Sequence, residues 1–243
     1  MENDYIFRLI MIPKVIHYCW FGRNPKPKDV LDYIETWKKY NPEYEIKEWN
    51  EDNFDVHCCK YVWEAYNVKK FAFVSDYARL YALYNEGGIY LDTDVEVRNS
   101  FDSLLGNHSF VGWEDNYLGT GVLASVKSQQ WVKDILDTYN GENFISWLGK
   151  LNTHPNPYRL NDVLRNYGLK MNHKADVLNT DIAIYPIEVL CANNHEKKKY
   201  VITDETISIH HYSGSWSSKK IKNFWPKFMQ RIVGLKIKVK LLV

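Results

Sequence analysis

The stretch 69–94 constrains the fold of this chain more than any other. Residues 69–86 (KKFAFVSDYARLYALYNE) place Val74, Tyr77, Ala78, Tyr81 and Tyr84 or Ala82 at i, i+3, i+4 spacing, the pattern of an amphipathic helix. Gly87-Gly88 then supply residues that tolerate the left-handed conformation in which helices commonly end. Gly88–Asp92 (GIYLD) follows as a strand, and its apolar residues mark it as buried. Two acids, Asp92 and Asp94, close the unit at a place where a charge needs a partner.

The flanking sequence repeats this alternation. Lys14–Trp20 reads as a buried strand, Asp29–Tyr40 as a helix built on Val30, Ile34 and Trp37, and Tyr44–Trp49 as a second strand. Strand-like pieces recur at Ser109–Trp113, Gly121–Val126, Ile182–Tyr185 and Thr206–His210. Helices are predicted at Ser128–Tyr139, Glu142–Lys150 and Arg159–Tyr167. Strands alternating with helices predict an α/β sheet covered on both faces. The 243 residues divide into an N-terminal extension (1–11), one α/β domain (12–218) and a basic amphipathic segment (219–243).

Charge separates the same regions. The formal net charge is +1, but residues 219–243 hold eight cations and no anion, leaving 23 cations against 30 anions elsewhere. The total of +1 argues against a uniformly basic nucleic-acid binder, and no nucleic-acid partner is expected. Ile221, Phe224, Trp225, Phe228, Met229 and Ile232 form an apolar stripe beside the basic face of the tail, a design suited to an anionic membrane surface. Pro226 is compatible with that helix only in its first turn. Cys19, Cys58, Cys59 and Cys191 form no CxxC pair, which fits reduced thiols in a cytosolic protein. The N-terminus lacks the long apolar core of a signal peptide, and no run is long enough to span a membrane.

The chemistry concentrates in four residues. Residues two apart in an extended chain point the same way, so Asp92 and Asp94 can face one site. Carboxylates at this spacing suit Mg²⁺ or Mn²⁺, whose shells are completed by phosphate oxygens and water. Asp76 and Arg79 share one helical face upstream, and the helix runs straight into the strand that carries the acids. Gly119-Thr120-Gly121 would admit close approach to the backbone.

The run Phe71–Val95 (FAFVSDYARLYALYNEGGIYLDTDV) resembles the DxD sugar-binding region of glycosyltransferase family 32. Ile12–Gly22 resembles that family's opening strand, and Ile209–Trp216 (IHHYSGSW) its closing motif. The resemblance implies a GT-A-like (Rossmann-like) mixed sheet flanked by helices and a retaining transfer of a hexose from a nucleotide sugar, a UDP-hexose being favoured. It implies Mn²⁺ or Mg²⁺ bound by Asp94 and His211, with Asp92 nearby and His210 directed to the opposite side. It further implies that Trp20 stacks on the base, that Asp76, Arg79 and Asp92 hold sugar hydroxyls, and that Ser215 and Trp216 contact the diphosphate. Thr153–Pro157 departs from the small segment expected there, so His154, Asn156, Asn161 and Asp162 are candidate acceptor-side groups. The expected acceptor is a growing or polyprenyl-diphosphate-linked bacterial surface glycan, used at the inner face of the plasma membrane. The same acids would also serve a nucleotidyltransferase or phosphohydrolase, and the 37 aromatic residues a non-catalytic sugar-binding module.

Overall fold

The computed structural model describes residues 11–179, 181–194 and 196–213. The expected strands and most of the expected helices form. β1 (Val15–Cys19), α1 (Lys28–Tyr40) and β2 (Glu45–Trp49) come first, followed by α2 (Lys60–Asn67), α3 (Phe71–Glu86), β3 (Gly88–Leu91) and β4 (Val95–Val97). After a 3-10 turn come β5 (Ser109–Glu114), β6 (Tyr117–Ser125), α4 (Gln130–Asp137) and α5 (Asn156–Arg165). The last elements are β7 (Asp176–Leu178), β8 (Ile182–Tyr185), α6 (Ile187–Leu190), the short strands β9 (Asn193–Asn194) and β10 (Lys199–Tyr200), and β11 (Ser208–His210).

Seven strands make one mixed sheet in the order β2-β1-β3-β6-β5-β8-β7. β1 is parallel to β2 and β3, whereas β6 runs antiparallel to both β3 and β5. Alternation along each strand separates two cores. Ile89 and Leu91 of β3, with Val122 and Ala124 of β6, pack against Val30, Ile34 and Trp37 of α1. Tyr90 and Leu123 face the other way, toward Val74, Ala78 and Leu80 of α3 and Trp131 of α4. The sheet is therefore covered on both faces, as predicted.

α3 departs from a simple stripe. Phe73, Val74, Ala78, Leu80, Ala82 and Leu83 are all buried, because α2, α4 and the sheet surround it. Tyr81 is 37% exposed and leans on Trp49 and Phe54. α2, which carries Tyr61, Val62 and Ala65 into the core, has no counterpart in the sequence reading.

The helix expected at 142–150 does not form. Gly141 and Gly149 both take positive φ, and a bridge pairs Ile145 with Leu151 around the turn. Glu142 is drawn away from a helical position by Arg159 and by the Asn152 amide, and the Ile145 N–H donates to Glu64. Trp147, at the tip, is 85% exposed.

Candidate active site

β3 delivers the two acids to the carboxyl end of the parallel strands, the usual position of a ligand crevice in open α/β sheets. The Asp92 N–H still donates to Gly121 of β6 at 2.8 Å. The chain then turns, with the Val95 N–H donating to the Asp92 carbonyl at 3.0 Å. Asp92 and Asp94 therefore converge through a turn rather than through the extended segment that the sequence predicted. Asp92 falls on the face of Tyr90, and this is the face on which α3 lies.

Arg79 organises that face. Its side chain is 5% exposed. Nη1 donates to the Thr120 carbonyl at 2.6 Å and lies 3.3 Å from Asp92 Oδ2. Nη2 lies 3.0 Å from Asp76 Oδ1 and 3.2 Å from Asp92 Oδ1. The guanidinium also covers the Tyr90 ring at 4.6 Å, and the Tyr90 hydroxyl donates to Asp92 at 2.9 Å. Every arm of Arg79 is engaged inside the protein, so it fixes the two acids and leaves their remaining lone pairs for a ligand. Burial pushes the Asp76 carboxyl up to about 6, with Arg79 opposing and Asp92 adding to the shift.

The structure places His210, not the expected His211, beside the acids. β11 pairs antiparallel with β4, placing His210 opposite Val95. His210 Nε2 faces Asp94 Oδ1 at 3.2 Å and Nδ1 faces Glu114 Oε1 at 2.9 Å. His211 is on the other side, stacked on Tyr33 at 4.9 Å and bonded to Glu96 at 3.0 Å. Strand alternation puts the two rings on opposite sides, and His210 rather than His211 is the one beside Asp94.

Asp94 also accepts from the Ser213 N–H and hydroxyl, at 2.8 and 2.9 Å. Burial opposes its ionisation, but the bonds from His210 and Ser213 outweigh this and hold the carboxyl well below the usual carboxylate range. Burial likewise disfavours the His210 cation, yet Glu114 and Asp94 raise its pKa well above the ordinary histidine value. One ligand atom from each of Asp92, Asp94 and His210 lies within 4.8 Å of the others. The two carboxylates suit a hard divalent cation such as Mn²⁺ or Mg²⁺, and the imidazole favours Mn²⁺ of the two. Cys191 adjoins Glu114 and His210, but burial pushes its thiol up to about 12 and leaves it protonated at neutral pH.

The remaining candidates divide. Trp20 follows β1 at the same end of the sheet, half-buried, with its indole N–H donating to the Asn24 carbonyl. Asn156 and Asn161 are buried struts: Asn156 donates to the Asp76 carbonyl, and Asn161 bonds both the N–H and the carbonyl of Leu118. His154 and Asp162 border a separate cleft of about 350 Å³, beside the Arg159–Glu142 pair. Ser215, Trp216 and the segment 219–243 lie outside the described residues, as do residues 1–10. The sequence reading gave no role to Tyr90, Glu114 or Ser213. The two glycines of β6 were the available signal, since each makes room for a side chain of the site.

Residues 27–111 match the family described as glycosyltransferase sugar-binding region containing DXD motif. The chain is 30% identical over 102 residues to inositol phosphoceramide mannosyltransferase 3 of Schizosaccharomyces pombe, covering 39% of this chain and 27% of that protein. It is 30% identical over 105 residues to the glycosyltransferase L373 of Acanthamoeba polyphaga mimivirus, covering 40% of this chain and 41% of that one. The matches thus span well under two thirds of these curated relatives. Among solved structures, the PaToxG glycosyltransferase superimposes with a TM-score of 0.51 at 20% identity, over 68% of this chain and 74% of that one. The fold is of the GT-A type.

Proposed function

We propose that the chain is a metal-dependent, retaining glycosyltransferase that moves a hexose from a nucleotide sugar, a UDP-hexose being favoured. The observation that carries this reading is the convergence of Asp92, Asp94 and His210 beside the Arg79–Asp76 pair. Bound at the three convergent ligands, a divalent cation would neutralise charge on the diphosphate as the sugar–phosphate bond breaks. Asp76 and Asp92, held by Arg79, accept hydrogen bonds from the sugar hydroxyls. Trp20 offers a π-face to the base. The transfer in this reading is front-face, with the leaving diphosphate assisting deprotonation of the acceptor.

The acceptor in this reading is a growing or polyprenyl-diphosphate-linked surface glycan of a bacterium. The basic segment 219–243 would hold the enzyme on the anionic inner face of the plasma membrane. Among the described residues no helix is long and apolar enough to cross a membrane.

The deciding experiment incubates the full chain with a panel of labelled nucleotide sugars and Mn²⁺. Release of nucleoside diphosphate from one of them, lost in Asp94→Ala with the fold intact, is the expected result. Sugar binding that needs neither metal nor nucleotide would replace the enzyme with a lectin-like module. Cosedimentation with anionic liposomes, lost on deletion of 219–243, tests the membrane arm.

A further inference from the structure

A second carboxylate, Glu114, lies on the side of His210 away from Asp94. Glu114 ends β5 and is 6% exposed. The register of β5 against β6 shifts between Val111 and Trp113, and Glu114 ends opposite Tyr117. Beyond it, β6 carries a glycine notch. A Cβ on Gly119 would fall 2.1 Å from the Glu114 carboxyl carbon, and one on Gly121 would fall 2.8 Å from His210 Cε1. Neither glycine has a positive φ, so what each provides is room. Tyr212 stacks on the His210 ring at 4.2 Å, and the Asn193 amide donates to the His210 carbonyl at 2.6 Å. Ring plane and backbone are both held.

His210 faces a carboxylate on each side, Glu114 at 2.9 Å on Nδ1 and Asp94 at 3.2 Å on Nε2; a cation bound at Nε2 would take the place of the proton there, leaving the Nδ1 proton for the shorter Glu114 contact. Metal-binding histidines commonly donate their second ring nitrogen to a carboxylate, which fixes the tautomer and raises ligand basicity. We propose that Glu114 is a positioning residue that locks His210 with Nδ1–H toward itself and Nε2 toward Asp94 and the cation site. This rests on the metal reading of Asp92, Asp94 and His210. Glu114 acts through His210 and touches neither sugar nor phosphate. Gly119 and Gly121 are required because any side chain there would displace one member of the pair.

The test is Mn²⁺ affinity of the full chain without nucleotide, read from the EPR signal of free Mn²⁺. Glu114→Met removes the acceptor while filling the space, and Glu114→Gln keeps an acceptor oxygen. The expected result is a weakening of about 10–100-fold in Glu114→Met, with most of the affinity retained in Glu114→Gln. Near-UV circular dichroism and urea midpoints check that both variants fold. If the wild type binds Mn²⁺, Asp94→Ala loses it and Glu114→Met binds normally, the Glu114 role is overturned and the metal reading stands. Equal losses in the Met and Gln variants assign the effect to packing and overturn the tautomer role. A wild type that does not bind Mn²⁺ overturns both.

Discussion

Asp92 gives both of its carboxylate oxygens to Arg79, at 3.2 and 3.3 Å. The first acid of the DxD is therefore oriented by the helix that precedes its strand. This joins two motifs that are separate in the sequence into one object. Arg79 spans Asp76 on its own helix, Asp92 after β3 and the Thr120 carbonyl of β6.

Removing Arg79 should therefore cost stability as well as function. Arg79→Ala leaves two carboxylates facing each other without a cation, and breaking a buried pair in this way destabilises by about 3–5 kcal/mol. Arg79→Lys keeps the charge but not the fork, so donor binding should fall while much of the stability remains. Urea unfolding and calorimetric titration with the nucleotide sugar separate the two effects.

Asp94 sets an acid limit. Its pKa is depressed in the fold, so the stability it contributes is complete above its unfolded value of about 4 and is lost as the pH falls toward the folded value. Wild type should exceed Asp94→Asn in urea midpoint near neutrality, and the difference should shrink on acidification. A gap that stays constant down through the carboxylate range contradicts the assignment.

Asp76 behaves in the opposite sense. Its carboxyl is pushed up to about 6 by burial, so its protonated form is favoured in the fold. That contribution is full below the unfolded pKa and is lost as the pH rises through about 6. The ionised form is the better acceptor for sugar hydroxyls, so nucleotide-sugar affinity should rise through the same range. Asp76→Asn should bind weakly and without this inflection.

Much of the scaffold was readable because burial leaves periodic marks. Val30, Ile34 and Trp37 announce α1, and the apolar run Ile89–Leu91 announces a strand buried on both faces. α2 was missed because its eight residues bury only Tyr61, Val62 and Ala65, too short a stripe to stand out. The 142–150 helix failed because Glu142 answers to Arg159, a partner distant in sequence. The site divides along the same line. Asp76, Arg79, Asp92 and Asp94 lie close in sequence, and the fold brings them together. Glu114 and His210 meet only through the packing of β5, β6 and β11, and two adjacent histidines carry no mark of which one faces inward.

β11 has a further consequence for the order in which the molecule is made. Every strand of the seven-stranded sheet precedes Pro186, whereas His210 is supplied by a strand that follows all of them. The sheet strands and the Arg79 cluster with Asp76 and Asp92 are thus drawn from chain that precedes β11, and the histidine is added to them from outside the sheet. Assembly of the acid–histidine cluster waits for β11, so a chain that lacks Ser208–His210 has Asp92 and Asp94 in place but not the imidazole that joins them.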